Sequence, residues 1–540
     1  MELNIKEKLA LIADDSRLVT SSITTLLRKI GIEDIRYAYK PYDVIKECKQ
    51  NKFDLIICDY NFQSQINGFQ IYEELQHEKC INANAVFIFL TGENDLKIVR
   101  SIINTEPDDY LLKPYNNEFF IRRLMSAFKK RHVLLPIFEA RVKLDFEAVI
   151  NSCEDLLPFH PEYSKLIRSY KAHALVQNKR FHDAKNEYKK LLEEEETDWL
   201  KTALANTLIE SDNLSEAQEI LNSVSDKDEN PYYHDEMSNM AVVNDDLPKA
   251  INHLKQSTLL LDAGAERDLV ITNLSIATES YYDAVTFIKR YYEKNENTFR
   301  GGVYTKLNFI RCYLYRAFDS NSSFDNLLHG LNPMILEISR DSKYLWQSQL
   351  ICAHVDLING DLRKAIRTLK EVVQNNNLVH FYDLFHLCVL LERSTLLKEL
   401  KELLPVMHKS IVQSQNPSIF RSQIHMAKSL EQRLQYSQKR INEIKLKISN
   451  RASISKSELS SHLDYYFQLQ ELLPNSRKIS LAIIKFAALH PFLYEGKFKV
   501  HEKLFNSNHV VENLMTHQEL RDMNYATIYK QAKENVKQKL

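Results

Sequence analysis

The residues of this chain that could act together chemically are three aspartates, a threonine and a lysine in its first 115 positions. Each one ends or closely follows a short apolar run, at Asp14, Asp15, Asp59, Thr91 and Lys113. Three carboxylates that lie together repel one another unless a hard cation neutralises them, and an oxygen-only cluster suits Mg²⁺. A phosphoryl group on an aspartate would need a metal ion, an ammonium and a hydroxyl around its oxygens. The set therefore predicts an aspartate that accepts phosphate.

Alternating apolar and helix-period segments must position these residues. The apolar runs cover residues 9–13, 35–39, 55–58, 86–90 and 110–112, and the helical segments cover residues 17–30, 42–51, 69–77, 95–104 and 118–131. Five such pairs predict an α/β doubly wound, five-stranded parallel sheet. In such sheets the chemistry lies beyond the carboxyl ends of the strands, which is where Asp59 and the other four residues fall.

Residues 7 to about 130 resemble the receiver domain of two-component response regulators. The matching residues are the acidic pair Asp14 and Asp15, the phospho-acceptor Asp59, the switch hydroxyl Thr91, the switch aromatic Tyr110, and Lys113 followed by Pro114. The resemblance implies that a histidine kinase supplies the phosphate. It also implies that Asp15 and Asp59 bind Mg²⁺ directly, with the backbone carbonyl of Asn61 as a third ligand, while Asp14 acts largely through water.

Two departures from the family pattern lie next to the expected site. The loop YNFQSQINGF after Asp59 lacks the usual Met-Pro and reaches Gly68 one residue late, and Gly92 replaces a small Ala or Ser. They bear on the lifetime of the phosphoryl group and the size of the switch, since no reactive group is lost. Asn61 and Glu93 either tune hydrolysis or are solvated loop residues.

The composition limits the class of protein. The 71 basic and 72 acidic residues nearly cancel, so no global charge indicates direct nucleic-acid binding or a membrane surface. Glycine, with 9 residues, and proline, with 13, are scarce, which favours a largely helical chain. The N-terminus has no signal-peptide pattern, and no apolar run is long enough to span a membrane. We therefore expect a soluble, cytoplasmic protein.

The seven cysteines bear on the redox environment. They lack CxxC spacing and lie in apolar segments. This predicts buried free thiols in a reducing compartment. The residues are Cys48, Cys58, Cys80, Cys153, Cys312, Cys352 and Cys388.

A recurrent phrase follows the first region: a bulky residue at a turn, an alanine three positions on, then an apolar helix. The alanines are Ala184, Ala217, Ala250, Ala284 and Ala365, and the first four are 33, 33 and 34 residues apart. This period resembles tetratricopeptide repeats over residues 137–295 and again over 343–405, with irregular spacing between them. One helix pair cannot bury its apolar face alone, so the pairs are expected to stack into a superhelix whose groove holds a protein partner.

The C-terminal part of the chain is less regular. Residues 418–450 read as one long helix with an apolar seam at Leu430, Leu434, Ser437, Ile441, Ile444 and Ile448. The seam covers fewer than three heptads, which favours packing across the end of the solenoid. A homodimer is the alternative. We predict a receiver domain at residues 1–131, tetratricopeptide-like repeats at 132–408 and a helical region at 409–540.

No second catalytic pattern accompanies the receiver. The sequence contains no compact basic helix-turn-helix unit, no HExxH or HD-type histidine cluster and no glycine-rich phosphate loop. We interpret the chain as a non-enzymatic response regulator whose phosphorylation at Asp59 controls protein binding by the repeats. An unrecognised enzyme within residues 410–540 and a transcription regulator that acts through a protein partner are the alternatives.

Overall fold

The structure, a computed structural model, describes most of the chain. The described residues are 5–92, 96–104, 106–261, 263–319, 324–375, 378–412, 416–449 and 455–538. The chain divides into two compact units, Met1–Ile271 with Arg290–Gly302, and Thr272–Lys289 with Val303–Leu540. These units do not test the predicted domain boundaries, which stay predictions. No helix among the described residues has the length and apolar character needed to cross a membrane.

The N-terminal part is the predicted five-stranded sheet. All neighbouring strands are parallel, in the order β2-β1-β3-β4-β5. The strands are β1 (Ala10–Ala13), β2 (Ile35–Ala38), β3 (Leu55–Asp59), β4 (Val86–Thr91) and β5 (Asp109–Leu112). The helices between and after them are α1 (Arg17–Lys29), α2 (Pro41–Gln50), α3 (Gly68–His77), α4 (Leu96–Asn104) and α5 (Asn117–Val133).

The burial of each strand follows from its place in the sheet. Every residue of β3 and β4 is buried, as a continuous apolar run covered on both faces predicts. One core cluster contains Ile57 and Ile88 against α1 and α5, and the other contains Ile56 and Phe87 on the opposite face. The fold class inferred from sequence is therefore confirmed for this region.

Helical hairpins follow. The helices that complete the first unit are α6 (Leu135–Val142), α7 (Phe146–Leu156), α8 (Ser164–Gln177), α9 (Phe181–Glu194), α10 (Asp198–Glu210), α11 (Leu214–Asn222), α12 (Pro231–Val243) and α13 (Leu247–Leu260); α14 (Glu266–Ala277) and α15 (Tyr281–Asn295) cross the division between the units. The alanines of the recurrent phrase, such as Ala184 and Ala217, are fully buried. Small residues at these places let paired helices approach closely.

A backbone feature recurs at the turn inside these hairpins. Lys179, Asp212, Asp245 and Glu279 have φ between 58° and 62°, and each lies two positions before the second helix of its pair. The following N–H then bonds back five residues, as from Asn213 to the Leu208 carbonyl at 2.8 Å. This is the six-to-one bond of a Schellman helix end. The sequence did not signal it, because glycine usually occupies such a position and here it does not.

The second unit contains the remaining helices. They are α16 (Val303–Asp319), α17 (Phe324–Ser339), α18 (Leu345–Asn359), α19 (Leu362–Asn375), α20 (Phe381–Arg393), α21 (Leu397–Lys409), α22 (Pro417–Ser449), α23 (Leu459–Leu472), α24 (Arg477–Leu489), α25 (Val500–Leu514), α26 (His517–Asp522) and α27 (Tyr525–Asn535). The irregular stretch between the two repeat regions thus forms a helical pair, α16 and α17. The long helix predicted at 418–450 is α22.

The apolar seam of α22 packs within the chain. Leu430, Ile441 and Ile444 are buried, and the last two belong to a core cluster shared with α23, α24 and α25. The seam is thus covered in part by helices of the same unit, and packing across the end of a solenoid stays a prediction. A parallel pair of three-residue strands, β6 (Phe492–Tyr494) and β7 (Val536–Gln538), was not predicted. The basic tail therefore contributes buried structure through Val536.

One expectation about the cysteines is wrong. Cys352 is exposed and Cys80 is only partly buried, whereas the other five are buried free thiols. Cys352 lies on α18 between the buried residues Ile351 and Ala353, and the helical period turns it outward. The apolar run in the sequence does not reveal which cysteine is exposed, because only one face of a helix is covered.

Candidate functional site

Three carboxylates meet at the end of the central strands. Asp14 and Asp15 follow β1, Asp59 ends β3, and one ligating oxygen of each lies within 4.8 Å of the others. Asp14 and Asp59 are buried, while Asp15 is exposed. Within the described part of the chain this is the one such group of three or more potential ligands. An oxygen-only set with one solvent-facing member fits Mg²⁺, which keeps several waters.

The ammonium of Lys113 bridges the two buried acids. Its Nζ lies 2.7 Å from Asp14 Oδ2 and 2.9 Å from Asp59 Oδ1. The other oxygen of Asp14 accepts a hydrogen bond of 2.8 Å from the backbone N–H of Ser16, the residue that caps α1. Lys113 N in turn donates to the Thr91 carbonyl at 2.7 Å, which fixes the lysine to the end of β4. The pair of acids is thus held by contacts from three strand ends.

Burial and charge shift the pKa values of Asp59 and Lys113. Desolvation raises the pKa of Asp59 from 3.8 to about 6, although the charge of Lys113 works in the opposite direction. Burial also opposes the charged form of Lys113, but its hydrogen bond to Asp14 and the charge of Asp59 outweigh burial and raise its pKa. Asp59 is therefore a buried carboxylate whose desolvation is only partly offset by Lys113, as suits a nucleophile or a metal ligand.

The remaining predicted residues lie on or beside the same rim. Thr91 is the buried last residue of β4, and Tyr110 lies half-buried on β5, paired with Phe89. The side chain of Asn61 accepts a hydrogen bond from the N–H of Gln63 at 3.1 Å. Glu93 lies outside the described residues.

Gly68 makes the closest backbone approach to the site. A Cβ at Gly68 would lie 2.6 Å from the Asp59 carbonyl oxygen and 2.8 Å from Tyr60 Cα. Its N–H donates to the Tyr60 carbonyl at 2.7 Å. The loop after Asp59 thus returns to the strand end despite its extra residue, and glycine is required there because any side chain would push against backbone. A Cβ at Gly92, in contrast, would meet nothing within 4 Å.

Contacts from α3 to the segment before α16 were not predicted. Both terminal nitrogens of Arg300 donate to Glu73, and the N–H of Phe299 donates to Glu74 at 2.8 Å. The ring of Phe299 also stacks on His77, with centroids 3.9 Å apart. These residues are more than 200 positions apart in sequence, so no local pattern could connect them.

Helix α4 and the loop after it also contact repeat residues within the first unit. Ser101 Oγ accepts a hydrogen bond of 3.1 Å from the N–H of Ala263, which is buried in the same core cluster as Ile102. Glu106, just beyond α4, pairs with Arg141 on α6 at 2.8 Å. Helices α3 and α4, on one side of the sheet, therefore both contact residues beyond the receiver within the first unit.

Family comparisons identify both kinds of domain. Residues 10–125 match the family model of the response regulator receiver domain, and residues 167–238 match a tetratricopeptide repeat. The chain therefore contains a receiver domain of the two-component response regulators, followed by tetratricopeptide-like repeats. The recognition made from sequence is confirmed.

Similar individual proteins cover only part of this chain. The transcriptional regulatory protein YvrH of Bacillus subtilis (strain 168) is 27% identical over 122 residues, which are 23% of this chain and 49% of that protein. The chain thus matches about half the length of that relative.

Two solved structures are similar as well. The signal receiver domain of an HD domain-containing protein from Pseudomonas fluorescens Pf-5 is 21% identical, with a TM-score of 0.21, over 23% of this chain and 97% of that one. RcsB from Salmonella enterica serovar Typhimurium, bound to promoter rprA in the presence of phosphomimetic BeF3-, is 17% identical, with a TM-score of 0.20, over 31% of this chain and 90% of that one.

Proposed function

We propose that this protein is a response regulator in which phosphorylation of Asp59 controls protein binding by the helical repeats. The observation that carries the proposal is the presence, in one compact unit, of the acidic site and of direct contacts from α3 and α4 to repeat residues. A change at the site can therefore alter the surface that the repeats present without passing through a flexible linker.

In the proposed reaction a carboxylate oxygen of Asp59 attacks the phosphorus of a phosphohistidine on a partner kinase. The new P–O bond forms as the P–N bond to the histidine breaks, and the histidine leaves. Asp15, Asp59 and the backbone carbonyl of Asn61 would hold Mg²⁺, which supplies positive charge to the phosphoryl oxygens. Asp14 would act on the metal through water.

Lys113 and Thr91 would bind the phosphoryl group once it is attached. The ammonium of Lys113 already lies 2.9 Å from an oxygen of Asp59, so a short movement brings it to the phosphoryl oxygens. Thr91 follows with a hydrogen bond from its hydroxyl, and Tyr110 changes position beside it. The receiver acts only on its own phosphoryl group, so the proposal includes no enzymatic activity on a separate substrate.

Modification of the full chain by a small phosphodonor or by beryllofluoride in the presence of Mg²⁺ tests the proposal. Wild type should take up one phosphoryl group per chain, by intact mass, and the Asp59→Asn variant none. Beryllofluoride should change hydrogen exchange at α3, α4 and residues 290–302 in wild type only. Equal labelling of both proteins would end the phospho-acceptor assignment, and labelling without any change at the repeats would end the proposed coupling.

Regulation of transcription is the second candidate, favoured by the name of the Bacillus relative. It predicts a protein partner that is itself bound to DNA or to RNA polymerase. Capture on the full chain with and without beryllofluoride, followed by nuclease treatment, separates the two. Only the transcription candidate predicts a partner associated with polymerase or promoter DNA.

A further inference from the structure

A cleft of about 580 Å³ opens in the first unit between the receiver and the repeats. Its receiver wall comprises the end of α4, the loop after it, β5 and α5, and its repeat wall comprises α8, α9 and α10. Neither part of the chain forms it alone. The volume accommodates a few side chains of an extended segment and is too small for a folded domain.

Large apolar side chains line this receiver–repeat cleft without being covered. Trp199 on α10 is 46% exposed and Ile103 on α4 is 50% exposed. Leu166 and Tyr170 of α8 also line the cleft. A half-exposed tryptophan and a partly buried tyrosine that line one cleft are typical of a surface that binds an apolar or aromatic side chain.

Among the charged side chains of the cleft, one cation forms no ion pair with a described carboxylate. Its acids each already have a basic partner: Glu106 with Arg141, Asp108 with Arg131, Asp109 with Arg123, and Glu195 with Lys165. The ammonium of Lys130 instead donates to the Asp108 backbone carbonyl at 2.6 Å, and no carboxylate among the described residues forms an ion pair with it. Burial, opposed by Asp108, lowers the pKa of Lys130. A carboxylate supplied from outside would complete the charge pairing.

We propose that a protein partner docks in the receiver–repeat cleft through a short segment that places an acidic side chain on Lys130 and an aromatic or aliphatic side chain against Trp199. The inference rests on the proposed function, because it gives the partner of the repeats a site and a chemistry. Tyr110, the residue expected to move on phosphorylation, lines the same cleft. Phosphorylation therefore alters the cleft directly, and by linkage a bound segment alters the affinity for beryllofluoride by the same factor.

The test uses the full chain and an array of acetylated, amidated hexapeptides in three matched sets. One set combines Asp or Glu with Phe, Leu or Trp, the second replaces the acids with Asn and Gln, and the third replaces them with Lys. Binding should concentrate in the acidic set and weaken by roughly fivefold or more in Lys130→Met. Lys129→Met, an exposed neighbour on α5, is the matched control and should bind as wild type does.

A second variant tests the opposite wall. Trp199→Ala should weaken binding of the same peptides, and the Trp199 fluorescence of a Trp346→Phe background should respond to the Phe and Leu peptides, which contain no tryptophan. Equal binding of the acidic and amide sets, or acidic binding unchanged in Lys130→Met, overturns the proposal. The proposed function fails separately, if beryllofluoride changes nothing at the repeats of wild type. If no peptide binds the cleft while beryllofluoride still changes the repeats of wild type, only the docking site is refuted.

Discussion

The carboxylate of Glu73 on α3 receives hydrogen bonds of 2.9 Å from both terminal nitrogens of Arg300, which lies 227 positions further along the chain. The same guanidinium donates to Glu266 at the start of α14, at 2.7 Å. Arg300 and Glu73 are both mostly covered, with 14% and 20% of their side chains exposed. One cation thus joins a receiver helix to the beginning of a repeat helix, and under the proposed function α3 is a route for coupling alongside α4.

Removal of this cation should loosen both segments. Arg300→Met leaves two partly buried carboxylates facing each other, and we expect a loss of about 1–2 kcal/mol in local stability. Hydrogen exchange of the full chain should rise at α3 and at residues 290–302. Arg122→Met, which removes an exposed cation from α5, is the control and should leave both segments unchanged.

If α3 transmits a change from the acidic site, Arg300→Met should also alter the response to beryllofluoride. Beryllofluoride added to Arg300→Met should still bind the receiver, because no residue of the acidic site is altered. The exchange response at residues 290–302 should nevertheless shrink. A full response in this variant would show that α3 does not transmit the change.

A pair of glycine substitutions tests the backbone beside Asp59. Gly68→Ala forces a Cβ against the Asp59 carbonyl oxygen, and we expect a cost of about 1–3 kcal/mol together with slower phosphorylation. Gly92→Ala enters open space and should change stability by less than about 0.5 kcal/mol. Thermal unfolding and phosphodonor labelling of both variants give the comparison. Similar behaviour of the two would mean that the loop after Asp59 adapts freely.

Removal of the ammonium at the acidic site should separate metal binding from phosphoryl binding. In Lys113→Met the charges of Asp14 and Asp59 are no longer balanced, so Mg²⁺ should bind more tightly. Phosphorylation should slow by roughly 100-fold, because the phosphoryl oxygens lose a donor. Lys8→Met, which removes the lysine paired with Asp54 instead, should change neither quantity. Calorimetry with Mg²⁺ and intact-mass labelling provide the two readouts.

The raised pKa of Asp59 gives a dependence of stability on pH. Between the ordinary value of 3.8 and about 6, the folded chain keeps a proton that the unfolded chain has released. The free energy of unfolding therefore falls as pH rises through this window, and ionised Asp59 costs about 2–3 kcal/mol above it. Asp59→Asn should stabilise the metal-free protein near neutral pH and have little effect near pH 4.

The difference in the free energy of unfolding between wild type and Asp59→Asn is measured at several pH values without Mg²⁺. Urea unfolding is monitored by hydrogen exchange at β3. Added Mg²⁺ should recover stability in wild type and not in Asp59→Asn, because the metal neutralises the same carboxylate. A variant that is no more stable than wild type near neutral pH would show that Asp59 is well solvated. In that case its pKa would lie close to the ordinary value.

Local sequence patterns were sufficient to predict the five-stranded sheet and the helical hairpins. Continuous apolar runs located all five strands, and period-3.6 hydrophobicity located their helices, to within a residue or two. The spacing of Ala184, Ala217 and Ala250 indicated the stacked hairpins, because the small residue is needed wherever two helices touch. The order of Asp14, Asp59 and Lys113 on successive strand ends placed them on one rim, since parallel strands share an edge.

Features that depend on which helix faces a distant partner could be seen only in the tertiary structure. The outward face of Cys352 and the buried tail at Val536 depend on packing that residue type does not specify. The pairing of Glu73 with Arg300 and the cleft between Lys130 and Trp199 join segments far apart in sequence. Short-range periodicity sets the elements because it acts within one turn or strand, whereas these contacts arise only after the elements have packed.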